Sequence, residues 1–318
     1  MATYKEIKGT QIEVVSSDPS NPVEGQVWYN STDQAVKGES FVSAAWASGG
    51  SLNTARDRLG GAGTQTAAIA AGGSPSSNAT ELYDGSSWTE VNNLNTGRRA
   101  MSLTGTQTAS IVAGGYTTTN VANVETWNGS NWSETTNVNT GRRGGAGSGD
   151  SSASILIGGV SPTPSKGFTE LWNGSNWTEV NDLNTARGNA AGSNAGTSTA
   201  ALLAAGANGS NLANTESWNG TNWTEVNDLN TGRSDLGGAG TYTAMLVFGG
   251  SVSPKGQTEE WNGTNWTETA DLSTARETAG GAGGSALALA FGGYTTTSLA
   301  NTEEFTGAGP VTRTFTDS

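Results

Sequence analysis

The chain has 318 residues, long enough to bury a real core, yet it is only 33% hydrophobic and carries 47 glycines. A net charge of −13, with 15 lysines and arginines scattered along the chain, disfavours nucleic acid and anionic membrane surfaces as partners. The absence of cysteine and histidine excludes disulfides, thiolate metal sites and cysteine or histidine catalysis.

Glycine with abundant Ser, Thr and Asn would suit a linker, but 11 tryptophans argue against disorder. Each can bury roughly 150–250 Å², which offsets much of the chain entropy. Glycine and threonine then read as turns and strands.

The N-terminus, MATYKEIKGTQIEVV, has no apolar core of signal-peptide length, and no apolar run approaches the roughly 20 residues of a membrane helix. The chain is expected to be soluble. Residues 1–40 belong to no repeat. Tyr4–Val15 alternates loosely, Ser16–Gly25 is turn chemistry with two prolines, and Gln26–Tyr29 and Ala35–Lys37 read as short strands. Trp28, the one tryptophan outside the repeats, reads first as a hydrophobic anchor for this arm, with a partner contact as the alternative; Trp28 and Tyr29 are the candidate virion-anchor residues.

A repeat then takes over. Tryptophans recur at Trp46, Trp88, Trp132, Trp177, Trp223 and Trp266, in steps of 42, 44, 45, 46 and 43 residues. Ten residues after each comes an arginine: Arg56, Arg98, Arg142, Arg187, Arg233 and Arg276. Apolar runs ending in small residues, such as Ser154–Gly159 and Met245–Gly250, lie between, followed by a Glu-containing run ending in an aromatic (Glu81, Glu125, Glu170, Glu216, Glu259, Glu303). Each unit reads as four strands, a to d. A Gly/Ala-rich strand a lies nearest an axis, strand b is apolar on both faces, and strands c and d are joined at an Asn-Gly turn. Two turn registers are open. With Asn173-Gly174 as the loop, Trp172 faces Ser175; with Gly174-Ser175, it faces Trp177. Both put Trp172, Trp177 and Glu170 on one face, against a neighbouring blade.

Six four-stranded units must stack to bury these faces, which predicts an all-β, six-bladed β-propeller of antiparallel blades with an extended N-terminal arm. The first Trp and Arg lack strands a to c before them, and the last unit lacks a strand d. Phe41–Ala47 is therefore expected to close the last blade; the alternating tail Val311–Thr316 is the rival closure. The expected boundaries are an anchoring arm 1–40, a propeller 41–307 and a C-terminal tail 308–318.

The Gly-Gly-terminated strand, the strand-c aromatic, the strand-d Trp and the Arg opening the next unit resemble kelch-repeat β-propellers over about 41–307, although these units are shorter than the usual repeat of about 50 residues. The likeness implies a propeller scaffold. It also raises the copper chemistry of galactose oxidase, which cannot be assembled without His and Cys. A second resemblance covers Thr3–Gly38, above all DPSNPVEGQVWYN at Asp18–Asn30, which looks like the N-terminal segment of marine tailed-phage structural proteins. It implies a virion protein made in the host cytoplasm and displayed on the particle surface.

The repeated Glu and Arg are read as one structural pair per blade, since active sites rarely come in six equal copies. No pair of acids stands out as a glycosidase site, and Asp84-Gly85-Ser86-Ser87-Trp88 matches only part of a sialidase Asp-box. No catalytic residue, cofactor or metal site is assigned; calcium at Asp or Asn turns stays open. Function is expected where the repeats differ, in the b–c loops, with Tyr116 and Tyr294 as candidate ligand contacts. The expected function is a non-enzymatic fibre, decoration or adhesin protein. It would contact other virion proteins through residues 1–40 and a host-surface glycan or protein through the propeller; homo-oligomers are compatible with this. The alternatives are a cellular kelch-type interaction module and a carbohydrate-active enzyme.

Overall fold

Alternation and turn residues dictate strands throughout, and the computed structural model, which describes residues 12–162, 164–252 and 255–315, is all-β, with 28 strands in seven four-stranded sheets. The chain divides into two units, residues 1–44 with 307–318 and residues 45–306.

In the smaller unit, β1 (Glu13–Val15), β2 (Val27–Asn30) and β3 (Ala35–Val42) form a sheet in that order. Its fourth strand comes from the other end of the sequence, Gly309–Phe315, antiparallel to β3. The C-terminal tail is thus neither free nor the closing strand of the repeats, but an edge strand of the N-terminal sheet. Asp18, from the proline-containing turn, accepts hydrogen bonds from Trp28 Nε1 (2.9 Å), Asn30 Nδ2 (2.8 Å) and Lys37 Nζ (2.8 Å). The Lys37 bond first, then those from Asn30 and Trp28, pull the Asp18 carboxyl down to about 2.

The larger unit begins with β4 (Ala45–Gly49). Five sheets follow in strict chain order: β5 (Gly60–Thr64), β6 (Ala67–Ala71), β7 (Thr80–Tyr83) and β8 (Trp88–Val91); β9 (Ser102–Gly105), β10 (Ser110–Ala113), β11 (Val124–Trp127) and β12 (Trp132–Thr135); β13 (Ala146–Gly149), β14 (Ser154–Ile157), β15 (Thr169–Trp172) and β16 (Trp177–Val180); β17 (Ala191–Gly192), β18 (Ala201–Ala204), β19 (Thr215–Trp218) and β20 (Trp223–Val226); β21 (Gly237–Thr241), β22 (Ala244–Phe248), β23 (Thr258–Trp261) and β24 (Trp266–Glu268). The sixth comprises β25 (Gly280–Gly283), β26 (Leu287–Phe291) and β27 (Thr302–Thr306), completed by β4. The completing strand starts later than expected: Phe41 and Val42 pair instead with Pro310 and Gly309 of β28 (Gly309–Phe315).

The first strands of the six sheets are neighbours in sequence order, and β25 lies beside both β21 and β5. They approach so closely that only small residues fit: a Cβ on Gly281 would lie 2.3 Å from the Gly238 carbonyl oxygen. The c–d register is Trp172 opposite Trp177, repeated in every sheet (Tyr83–Trp88 through Phe305–Trp46). Side-chain chemistry decides it. Asn173 Oδ1 accepts the Ser175 and Asn176 amides (3.0 and 2.9 Å), so the Asn caps the turn from its first position, and Gly174 takes φ +90°. The paired rings stand 4.9–5.4 Å apart and pack onto the preceding sheet; Trp172 and Trp177 meet Ile111, Ala113 and Val124. At about 25 cal/mol per Å², two such rings contribute several kcal/mol per sheet before entropy.

The strand-d tryptophans also carry a polar contact between sheets. Trp46, Trp88, Trp132, Trp223 and Trp266 donate Nε1–H to a threonine at the start of the preceding sheet's third strand, at 2.9–3.2 Å. In the remaining sheet that threonine is replaced by Val124, and Trp177 Nε1 is buried without a partner. Val124→Thr restores the acceptor at nearly constant volume. It is expected to stabilise the protein by about 1 kcal/mol, read as a higher midpoint in urea with unchanged slope. The same change in a variant where Trp177 is Phe is expected to gain nothing.

Candidate functional site

The repeat arginine is where scaffold meets surface. Its carbonyl accepts the N–H of the second Gly of the preceding sheet, as in Gly73–Arg98 (2.9 Å), Gly159–Arg187 (2.9 Å) and, from the sixth sheet to the first, Gly293–Arg56 (2.8 Å). Its guanidinium turns into the following sheet and pairs with the strand-c glutamate: Arg56–Glu81 (2.6 Å), Arg98–Glu125 (2.9 Å), Arg187–Glu216 (2.5 Å), Arg233–Glu259 (2.6 Å), and likewise Arg142–Glu170 and Arg276–Glu303. These side chains are buried. The second glutamate oxygen accepts a connector amide, as from Asn184 N and Nδ2 (2.8 and 2.9 Å). Burial pulls Arg56, Arg98 and Arg276 below the ordinary arginine value, and the paired glutamate opposes it. The pairs are enclosed, so they shape the scaffold and offer nothing to a ligand.

The residues just after each arginine behave differently. In four repeats the next residue exchanges backbone bonds with the residue following the small-residue pair, as in Arg99 with Tyr116 (3.0 and 2.9 Å), Arg143 with Val160 (3.2 and 2.8 Å) and Glu277 with Tyr294 (3.0 and 2.8 Å). The residue after that has left-handed backbone in all six repeats, at φ 53–62° (Arg58, Ala100, Gly144, Asn189, Asp235, Thr278). Each donates its N–H to the carbonyl of the preceding one, and Arg58 donates to Thr278 at 2.9 Å, so the sixth bond returns to the first residue. For non-glycine residues this conformation costs about 1 kcal/mol or more each, and the hydrogen bonds offset it.

This ring frames a mouth. A cavity of ≈ 440 Å³ is lined by Arg58, Arg99, Ala100, Tyr116, Arg143, Asn189 and Asp235, and a smaller one of ≈ 110 Å³ adjoins it toward the axis. The guanidinium carbons of Arg99 and Arg143 each lie 5.0 Å from the Tyr116 ring centroid. Arg58 pairs with Asp57 at 2.9 Å. Burial raises the Asp235 carboxyl above its ordinary range, against a hydrogen bond from Ser234 and the charge of Arg58. The opposite end holds a cavity of ≈ 430 Å³ lined mainly by glycine and threonine; its one carboxylate, Asp150, is occupied by the Ser152 hydroxyl and amide and the Ala153 amide. Between the two ends Asn194 crosses the axis, donating to Gly281 O (2.8 Å) and Gly61 O (3.3 Å). The mouth with the arginines is the candidate binding site.

Of the expected contacts, Tyr116 lines this mouth, and Tyr294 lies outside it. Trp28, read both as a hydrophobic anchor of its arm and as a candidate virion anchor, is fully buried and donates to Asp18, and Tyr29 is half-buried. Arg58, Arg99 and Arg143 were not anticipated. Their signal is in the sequence: the arginine is doubled in two adjacent repeats (Arg98-Arg99, Arg142-Arg143) and alternates in the first (Arg56-Asp57-Arg58). Among the described residues no cluster of three or more metal-ligating side chains occurs.

Adjacent arginines therefore have opposite roles. Arg142→Ala leaves Glu170 buried and unpaired and is expected to cost about 3–5 kcal/mol of stability. Arg143→Ala, half-buried at the mouth, is expected to cost no more than about 1 kcal/mol. Chemical denaturation of the two variants side by side checks this.

No protein-family model matches the chain. No curated protein matches it either. Among solved structures, the one titled "Structure of YjhT" superposes with a TM-score of 0.69 at 13% sequence identity, over 82% of this chain and 99% of that chain. At that identity the likeness shows the fold, a β-propeller.

Proposed function

We propose that residues 45–306 are a closed six-bladed propeller, and that the protein is a non-enzymatic virion component of fibre, decoration or adhesin type. In this reading the smaller unit docks on other virion proteins and the propeller presents its mouth to a host-surface glycan or protein. Closure is supported by the pairing of β4 with β27 and by the hydrogen bonds linking the sixth sheet back to the first. The virion role draws on the resemblance of Thr3–Gly38 to phage structural proteins and on one structural observation, the apolar face of the smaller sheet.

Strand register puts Val14, Val27, Tyr29, Val36, Val311 and Phe315 on one face. Val14 is 67% and Phe315 57% exposed. Among the described residues, seven of the nine exposed large apolar side chains lie in this unit: Ile12, Val14, Val23, Val27, Phe41, Val311 and Phe315. A concentration of this kind marks a surface that is covered in use. The opposite face carries the Asp18–Trp28–Asn30–Lys37 network, so the two faces divide the work of folding and docking.

The test removes the docking unit without disturbing the propeller. A chain of residues 45–306 keeps β4 and is expected to fold yet fail to enter particles assembled with the remaining virion proteins. The full chain carrying Val14→Glu and Phe315→Glu is expected to do the same. Incorporation of either variant at the full-chain level would overturn the docking role. Failure of the unmodified chain to join particles would instead favour the cellular interaction module.

A further inference from the structure

We propose that the arginine-lined mouth binds a small oxyanion-bearing ligand, a carboxylate or sulfate with hydroxyl groups beside it. This does not depend on the virion reading: it concerns the propeller alone.

The charge distribution is the first observation. A chain of net charge −13 with only 15 basic residues places three arginines around one cavity. Among the described residues, neither Arg99 nor Arg143 has a carboxylate within ion-pair distance. Two 5.0 Å legs to one ring put their guanidinium carbons no more than about 10 Å apart, close to the screening length of about 8 Å at physiological salt. Two like charges held there repel, and an anion between them removes the repulsion.

Preorganisation is the second. The Arg99 backbone is fixed by its exchange with Tyr116, and Arg143 Nη1 donates to Asn120 Oδ1 at 3.0 Å. Arg99 Nη1 makes only a long contact to the Pro75 carbonyl, 3.3 Å. Most guanidinium donors remain free, and a guanidinium fork matches a carboxylate or sulfate. The remaining lining supplies the selectivity for hydroxyls: Asn189 can donate and accept, and the Asp235 carboxylate accepts. Asp235 also disfavours a ligand that is anionic on every side, so the ligand's charge must sit on the Arg99–Arg143 side. A cavity of ≈ 440 Å³ is within the usual range for a small-molecule site. The similarly sized cavity at the other end is lined by no cationic side chain, its one charged residue being the carboxylate Asp150, so size alone does not single out the mouth.

Isothermal titration of the full chain with D-glucuronate, glucose 6-sulfate and glucose tests the assignment. At least one of the two acids is expected to bind with Kd below about 1 mM at low salt, and glucose at least about tenfold more weakly. Added NaCl is expected to weaken the acid and leave glucose unaffected. Arg99→Gln with Arg143→Gln is expected to lose the acid by at least about tenfold while the melting temperature holds. Arg143→Gln alone gives the same direction should the double variant fold poorly. Equal affinity for acids and glucose, including no measurable affinity for any of them, would overturn the proposal. So would wild-type acid affinity in the folded variants. Neither result bears on particle incorporation, so this proposal and the virion reading fail separately.

Discussion

Six buried arginines hold the propeller unit together, each belonging to two sheets at once. The main chain of Arg98 is bonded to the sheet it leaves, through Gly73 and Ser77, while its side chain is bonded to Glu125 of the sheet it enters. A buried guanidinium is tolerable only with a carboxylate beside it, and that carboxylate only with further donors, which the connector amides supply. The demand propagates outward. The Gly-Gly pair fits this crowding, because the second glycine lies against the arginine side chain and the first against the next arginine's carbonyl: a Cβ on Gly159 or Gly158 would lie 3.3 Å from Arg142 Cδ or 2.4 Å from Arg187 O, and only the fourth repeat puts an alanine, Ala205, in the first place. The left-handed residue two places after the arginine then carries the chain into its inner strand.

The same arrangement accounts for the position of the proposed binding mouth. The arginine is fixed by six similar environments and cannot vary without loss of the scaffold. The residue after it is also tied down by backbone bonds, yet its identity differs from repeat to repeat. Asp57, Arg99, Arg143, Gly188, Ser234 and Glu277 occupy that place. A rigid main chain whose side chain differs from repeat to repeat is the condition under which a repeat scaffold acquires a ligand preference. The smaller unit follows another logic: the hydrogen-bond network of Asp18, Trp28, Asn30 and Lys37 gathers on one face, and Val14, Val27, Val36, Val311 and Phe315 gather on the other.

Much of this was legible in the sequence. Periodic Trp, Arg and Glu locate every sheet, and the missing strands at the ends point to a completing N-terminal strand, because counting is independent of geometry. What stayed hidden was partnership. Alternation in Val311–Phe315 announces a strand but not that β3 is its neighbour. Asn-Gly announces a turn, but two registers satisfy the same alternation, and the Asn173 side chain selects one by capping Ser175 and Asn176. The acceptor of Trp28 could not be read because Asp18 lies ten residues upstream in an irregular turn. The mouth was missed for another reason: the repeat was read for what recurs, while Arg58, Arg99 and Arg143 are departures from it.

The central claim is that residues 45–306 form one closed cooperative ring, joined at β4 and Arg56 by noncovalent bonds alone. Native-state hydrogen exchange measures this directly. The account predicts that the β4 amides and that of Arg58 open with the same free energy as those of Ala100 and Asn189, because a closed ring has no end to fray. Exchange of β4 and Arg58 about 100-fold faster than Asn189 would contradict it, since that is how an open stack of repeats behaves.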